Sequence, residues 1–524
     1  MTKIRCKSMI VLIAVTLLPA IILGAQEKKA TEKAAATRTL SMADFEDKVR
    51  GAWAGQMIGV TYGAPTEFRA RGKTYDAPRE WKPEELAGAL DQDDLYVEMT
   101  FTKVLDTVGL NATSEQFGEA FRYSKYSLWH ANMAARRLLR RGIKGPLSGN
   151  PEYNFHANDI DFQIESDFIG IMCPGLPRAA QRFADRVGHV MNYGDGVYGG
   201  MFVAGMYSAA FFEKDPRKVV EAGLAAIPAG SLYARVIRDV LKWSAENPGD
   251  WKKTWNLLEA KYDKDDVCPD GALDPFNIDA SLNGAYIALG LLYGKLDFEK
   301  TMEIAMRSGQ DSDCNPSSAA GVLGAMIGYK AIPAQWTEPL AAIADKKFSY
   351  TDYSYNSIVE STLNRAKKVV ELDGGKVDSQ VLGIPVQKPA TLKPEQFQPG
   401  KPVERIKSSD ARWKFEGAWE NMEENAGKKS HTAGAKATVT FRGTGAIVFG
   451  LIRPDGGLAE IYLDDKPVGK TDAYYDEGDR TEGIWGKFDL RPGQHTVSVV
   501  VKGEPYPESK GSWIYLRDLI VYRK

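Results

Sequence analysis

Residues 308–328 read SGQDSDCNPSSAAGVLGAMIG, and the fold is decided by how this stretch is understood. Two aspartates, Asp311 and Asp313, stand at its mouth. Asn315 can cap a helix and Pro316 suits a first-turn position, so the acids sit in the loop leading into a helix N-terminus. Beyond them every residue is small, apolar or a hydroxyl, and none carries charge. Ala319, Ala320, Gly321, Gly324, Ala325 and Gly328 offer so little side chain that a second helix can pack very close. Acids beside a helix N-terminus also satisfy its dipole, which is the simplest account of the pair.

A second acidic cluster answers the first. Residues 90–101, LDQDDLYVEMTF, place Asp91, Gln92, Asp93 and Asp94 at the start of another apolar helix. Two such starts in one helical domain look like the two halves of a cage for a hard cation. Carboxylate and carbonyl oxygens suit Mg²⁺, Ca²⁺ or Mn²⁺, and no Cys/His spacing for zinc is present. Gln92, Asp93, Asp94, Asp311 and Asp313 are the expected ligands.

The surrounding sequence is helical. DLYVEMTFTKVLDTVG, SEQFGEAFRYSKYSLWHANMAARRLLRRG and DFEKTMEIAMRSG carry apolar residues at helical spacing. They lie in one large all-α domain over residues 42–372. Residues 373–402 are rich in Pro, Gly and Lys without a period, as expected of a linker or wrapping segment. Residues 403–524 alternate apolar and polar residues between Gly, Asp and Pro turns, as in AKATVTFRGTGAIVFGLI and GKFDLRPGQHTVSVVVKG, and predict a β-sandwich.

The 524 residues are too long for one ordinary domain. A net charge of −2 gives no electrostatic case for nucleic acid or an anionic membrane as a partner. At the N-terminus Lys3, Arg5 and Lys7 precede the apolar run Ser8–Leu23 and the small pair Gly24-Ala25. This is the pattern of a secretory signal peptide over residues 1–25, with an uncleaved anchor as the rival reading. The expected location is therefore secreted or periplasmic, without stable membrane insertion after cleavage. Residues 26–41 read as a flexible leader. Cys173, Cys268 and Cys314 remain, too few and too odd in number for a disulfide framework.

The residues DKVRGAWAGQMIGVTYGAPTEF (47–68), DQDD (91–94), GQDSDCNPSSAAGVLGAMIG (309–328) and IPAQW (332–336) together resemble the ADP-ribosylglycohydrolase family. The resemblance covers roughly Asp44 to Lys367. It implies an all-α fold with a pair of Mg²⁺ or similar ions between a Thr-Asp-Asp and an Asp-x-Asp-Thr helix start, hydrolysing a glycosidic bond. It makes Asp93 and Asp94, with Asp311 and Asp313, the ligands. It puts Glu67 on a mobile loop as a base or supporting acid. Gln92 and Cys314 stand where the family has threonines, and Gln56 where it has an aspartate. One ion or two unequal ones are then as compatible as a matched pair, and ADP-ribose is a less obvious substrate.

Three further stretches supply candidates. NFHANDIDFQIESDFIGIMCPGLP (154–177) crowds His156, Asn158, Asp159, Asp161, Glu165 and Asp167 among apolar residues. Asp161 and Glu165 are four apart, so they share a helix face and shift each other's pKa, as acid/base catalysis requires. Glu67, Asp161, Glu165 and Asp167 are the candidate acids and bases. GHVMNYGDGVYGGMF (188–202) offers His189, Asn192, Tyr193 and Asp195 as a pocket wall, and LWHANMAARR (128–137) offers His130 and Asn132. With His156 and Asn158 these are the expected sugar-binding residues. Arg136 and Arg137 read as surface.

In the β domain, DAYYDEGDRTEGIWGKFDL (472–490) sets Tyr474, Tyr475 and Trp485 around an acidic loop, suited either to stacking sugar rings or to packing against the helical domain. The expectation is a secreted, metal-dependent glycoside hydrolase with a carbohydrate substrate. The alternatives are an ADP-ribosyl hydrolase and a non-catalytic carbohydrate-binding protein.

Overall fold

The computed structural model describes residues 36–397 and 399–524. The expected signal peptide, and most of the leader, lie outside the described residues. Among the described residues no helix is long and apolar enough to cross a membrane.

The first helix, Met42–Gly63, is capped by the Ser41 hydroxyl, which accepts the Asp44 amide. Gly51, Gly55, Gly59 and Gly63 recur every fourth residue and so line one face. Against that face lies the helix Cys314–Ile327. A methyl group added at Gly51 would lie 2.4 Å from the Gly324 carbonyl oxygen, and at Gly55 2.2 Å from that of Ala320. At Gly59 it would lie 2.2 Å from the Pro316 oxygen, and at Gly63 2.0 Å from that of Ser312. The partner positions also step by four, in the opposite direction. The two helices are therefore antiparallel and touch backbone to backbone at Gly51, Gly55 and Gly59, and Gly63 extends the contact to the turn before the second helix. The small-residue stripe at 319–328 predicts this close approach, and the glycine repeat of the first helix completes it.

Two other helices, Asp195–Ala210 and Ala280–Gly294, are buried along almost their whole length and belong to the same apolar core. The helix Asp93–Thr107 opens beside the seam. The helical domain closes with Tyr355–Leu372, whose first turn carries a Ser354/Ser357 capping box.

The flanking segments are more ordered than the sequence suggests. Thr37–Ser41, in the expected leader, forms a strand antiparallel to Val381–Pro385, with Lys376–Val377 on its other side. Leu40, Leu382 and Ile384 are buried by this pairing, which is what orders both segments. Residues 387–397 then wrap the helical domain. Arg178 donates to the Lys388 carbonyl, Gln181 exchanges hydrogen bonds with Ala390, and Glu395 meets His189, the Gly194 amide and the Tyr198 hydroxyl.

The C-terminal part is an antiparallel β-sandwich. One sheet orders 466–472, 457–463, 493–505, 436–443 and 413–416; the other orders 480–487, 445–452, 514–523, 428–430 and 420–421, with 401–407 also pairing 514–523. It is fused to the helical domain. Arg136 is buried rather than on the surface, and donates to Glu477 at 2.5 Å and to the Tyr126 carbonyl at 2.6 Å. Arg137 and Arg141 share Asp472, and Arg140 pairs with Asp476 and Glu477. The acidic loop thus meets four arginines of the helix His130–Arg140 and its end. Phe155, Val267 and Ala272 pack on Ile447, Phe449, Ile520 and Tyr522 of the sandwich.

The glycine seam generates the first prediction. Gly59→Ala forces the two backbones apart, and overpacking of this kind costs about 1–3 kcal/mol or more. Chemical denaturation should show a loss of at least that size, whereas Gly249→Ala, with nothing within 4 Å of the added methyl, should cost little.

Candidate active site

Because the glycine seam runs to Gly63, the loop that follows it is delivered beside residues 309–313. The junction is knitted by main-chain hydrogen bonds: Phe68 N donates to Gln310 O at 2.9 Å, and Gln310 N to Ala70 O at 2.9 Å. Thr66 and Ser312 join their hydroxyls at 2.8 Å. Phe68 and Gln310 both adopt left-handed backbone conformations, with φ of 49° and 54°, so each side of the junction is held in a sparsely populated geometry.

A cleft of ≈ 530 Å³ opens at this junction. Glu67, Gln92, Asp93, Asp311, Asp313 and Cys314 line its acidic side; Phe68, Tyr96, Trp129 and Phe276 supply aromatic faces. The two acidic helix starts therefore meet at one place, as the sequence suggests. Asp93 accepts the Asp94 amide at 3.2 Å. Donor atoms of Asp311, Asp313 and Cys314 fall within 4.8 Å of one another. Asp94 is fully buried, and neither of its carboxylate oxygens has a hydrogen-bond partner.

A second tier of acids lies behind the first. Glu98, one turn after Asp94, accepts Gln56 Nε2 at 3.2 Å and the Phe168 amide at 2.9 Å. Asp167 accepts the Ser318 hydroxyl at 3.3 Å, and its other oxygen has no partner. Burial, followed by the neighbouring acids Asp93, Asp313 and Asp167, pushes Asp94 well above the usual carboxylate range. Burial, followed by Asp167, does the same to Glu98. Burial raises Asp167 to about 7 and Asp311 to about 8. So many carboxylates in so small a volume, one of them with both oxygens orphaned, fit a hard divalent cation and fit little else. Gln56, standing where an aspartate is expected, bonds Glu98 instead and spares the cluster one more charge.

The candidate acids separate by position. Glu67 lines the cleft and is exposed to solvent on its outer side; its enclosure by the cleft walls, followed by Asp313 and Asp93, raises its carboxyl above the usual range. Asp161 also lines the cleft, but its oxygens accept the Ala131 and Asn132 amides at 3.2 and 3.0 Å, which caps the helix carrying His130 and Asn132. Glu165 is buried behind Asn132, whose amide donates to it. Asp167 lies beneath the floor and does not line the cleft.

Of the expected sugar-binding residues, the structure brings His130 and Asn132 to the cleft. His156 is buried between Asp159 and Glu482 of the sandwich. Asn192 is buried and holds the chain at Phe162 N, Ala157 O and Asp159 O. His189, with Tyr193 edge-on to its ring, faces the wrapping segment through Glu395, at 2.7 Å. Asn158 and Asp195 line a separate cavity of ≈ 390 Å³. These six are drawn away because the wrapping segment and the buried turn at 157–162 need polar partners. Tyr96, Glu98, Trp129, Phe68 and Phe276 were not singled out by the sequence. Glu98 is four residues after Asp94, the one pattern that could have found it.

The fold and the acidic cleft define an all-α domain built around a candidate cation cage, joined to a β-sandwich. The sequence model of the ADP-ribosylglycohydrolase family matches residues 41–367, and the chain belongs to that family. Among solved structures, an ADP-ribosylglycohydrolase-related protein complex is similar at 16% identity, covering 62% of this chain and 99% of that one, with a TM-score of 0.40. The chain is similar in part to the CBM36-1 domain of a multidomain xylanase from the hindgut metagenome of Trinervitermes trinervoides, at 14% identity over 22% of this chain and 94% of that one, with a TM-score of 0.18. It is also similar to a carbohydrate-binding module, CBM36, in complex with calcium and xylotriose, at 10% identity over 22% of this chain and 98% of that one, with a TM-score of 0.18. No curated protein matches the chain.

The raised carboxylates set a pH dependence. A carboxyl with a folded-state pKa near 8 keeps its proton longer in the folded than in the unfolded chain, where it titrates near about 4. Cation-free protein should therefore lose stability as pH rises from about 4 to 8, and Mg²⁺ or Ca²⁺ should flatten that slope. Thermal melts across this range, with chelator and with cation, measure both, and Asp94→Asn should weaken the cation's effect.

Proposed function

We propose that this family member is a secreted, metal-dependent glycoside hydrolase acting on a carbohydrate. The observation that carries this reading is the cleft itself. A free carboxyl, Glu67, stands across from aromatic faces and beside a cluster of acids that need a cation. Asp93, Asp94, Asp311 and Asp313 are the residues that would hold Mg²⁺ or Ca²⁺, as one ion or two, with Gln92 at the rim. Such an ion supplies Lewis acidity that gathers adjacent hydroxyls and lowers the pKa of a bound water.

The remaining steps fall to side chains. Trp129, Tyr96, Phe68 and Phe276 present apolar faces on which a sugar ring can stack. Asn132, fixed by Glu165, and His130 offer hydrogen-bonding groups to hydroxyls. Glu67 is the proton carrier: its carboxyl, raised in the cation-free protein by its enclosure and by Asp313 and Asp93, is the group that would protonate the departing glycosidic oxygen. Asp161 is a positioning residue, since its oxygens are taken by the two amides that orient the Trp129–Asn132 turn. Family membership supports a second reading, hydrolysis of an ADP-ribosyl bond. The expected signal peptide over residues 1–25 and the replaced threonines favour a substrate other than ADP-ribose.

The test is hydrolysis of a panel of glycosides and of an ADP-ribosylated peptide, with and without chelator. Wild type should cleave a glycoside only with divalent cation. Glu67→Gln should lower kcat by about 10²–10⁴-fold, the usual range for acid/base catalysis, and leave cation binding intact. Asp313→Asn should lose both. Turnover that survives chelation would discard the metal-dependent mechanism, and release of ADP-ribose alone would select the second reading.

A further inference from the structure

A second cluster lies outside the acidic cage, at the place where the cleft wall, the loop after Asp265 and the sandwich meet. It draws on residues 130, 156, 159 and 268, which sequence spacing does not connect. One donor atom from each of His130, His156, Asp159 and Cys268 lies within 4.8 Å of the others. His156 Nδ1 is 2.8 Å from Asp159 Oδ2 and 3.1 Å from Cys268 Sγ, and His130 Nδ1 is 3.8 Å from the same aspartate oxygen and 3.6 Å from Asp270 Oδ2, which flanks the group. Donors about 2.0–2.3 Å from a tetrahedral ion stand about 3.3–3.8 Å apart, so this grouping needs only small side-chain adjustments.

Two observations point to a ligand rather than to a closed hydrogen-bond network. His130 Nδ1 has no hydrogen-bond partner although it is enclosed, and neither has Asp159 Oδ1, on a side chain with no solvent exposure. In addition, the His156 ring is oriented as a ligand's would be. With Nδ1 in the cluster, its Nε2 donates to Glu482 Oε1 at 3.0 Å, and that oxygen is itself fixed by the Gly483 amide at 2.7 Å. A carboxylate behind an imidazole is the usual support for a metal-bound histidine. The carboxylate comes from the sandwich strand Arg480–Lys487, so the sandwich completes the site. His130 is also held with φ of 45°, in the left-handed region that few non-glycine residues occupy.

We infer that His130, His156, Asp159 and Cys268 bind a borderline divalent cation of the zinc class, as a four-ligand structural site that staples the sandwich to the wall of the cleft. Imidazole and thiolate donors select Zn²⁺ or Co²⁺ over the Mg²⁺ and Ca²⁺ suited to the aspartate cage. Binding releases the Cys268 thiol proton and the proton that His156 shares with Asp159 to solvent. Four protein donors leave no open position, so the ion holds structure and takes no part in hydrolysis. The site shares His130 with the cleft wall, through its Nδ1 alone, and the ion itself is no part of the proposed reaction.

The experiment loads the full chain with one equivalent of Zn²⁺ or Co²⁺ in excess Mg²⁺, desalts it, and measures metal by mass spectrometry and the cobalt form by absorption. One ion per chain should remain, and the wild-type cobalt spectrum should show a thiolate-to-cobalt charge-transfer band with strong tetrahedral d–d bands. Cys268→Ser should lose the charge-transfer band, and Glu482→Gln should weaken Zn²⁺ binding by about 10–100-fold. The Asp94→Asn/Asp313→Asn double variant should keep both ion and band. Absence of the charge-transfer band in wild type, which requires no variant to fold, would overturn the assignment. So would retention of zinc that the aspartate variant abolishes.

Discussion

The structure depends on one contact, the backbone-to-backbone seam between Met42–Gly63 and Cys314–Ile327. Helices normally stand apart by the width of their side chains. Here four glycines remove that width on one partner, and the other partner presents its carbonyls directly. The consequence is positional. The first helix ends at Gly63 opposite Ser312, so the Glu67 loop and the Asp311–Asp313 turn are fixed against each other. The acidic groups of the cleft come from segments some 220 to 250 residues apart in the chain, and this seam is what makes them neighbours.

Charge is handled in two layers. The cleft-facing aspartates share their space with Glu98 and Asp167 below. Neutral groups of Gln56, Ser318 and the Phe168 amide partly satisfy the lower tier. Asp94 is left between the tiers with nothing to bond. A protein core tolerates this only with protons or a cation in the cluster, and the choice between them is what couples stability, pH and metal.

Much of this was legible in the sequence because it is local. The helix starts at Asp93 and Cys314, the small-residue stripe and the alternating strands of the sandwich all follow from spacing within about twenty residues. The ADP-ribosylglycohydrolase resemblance then tied the two acidic starts together. What was not legible depends on distant partners. Nothing near His189 announces Glu395, and nothing near Arg136 announces Glu477. His156 reads as a pocket residue until Glu482, 326 positions later, takes its Nε2. The leader strand Thr37–Ser41 is too short to declare itself without Val381–Pro385. Polar residues in a buried setting are the ones misplaced, since sequence reveals that they need partners and not which partners they find.

The arginine row on the helix His130–Arg140 has a consequence for how the chain can be divided. Arg136 lies under the sandwich loop with 1% of its surface exposed, and its charge is balanced by Glu477. Expressing the helical part alone would strand that guanidinium without its counter-ion and uncover Phe155, Val267 and Ala272. The two folds are distinct in architecture but share one interior, so they should melt together in a single cooperative transition. In this chain the sandwich is an integral wall of the protein, not a detachable accessory.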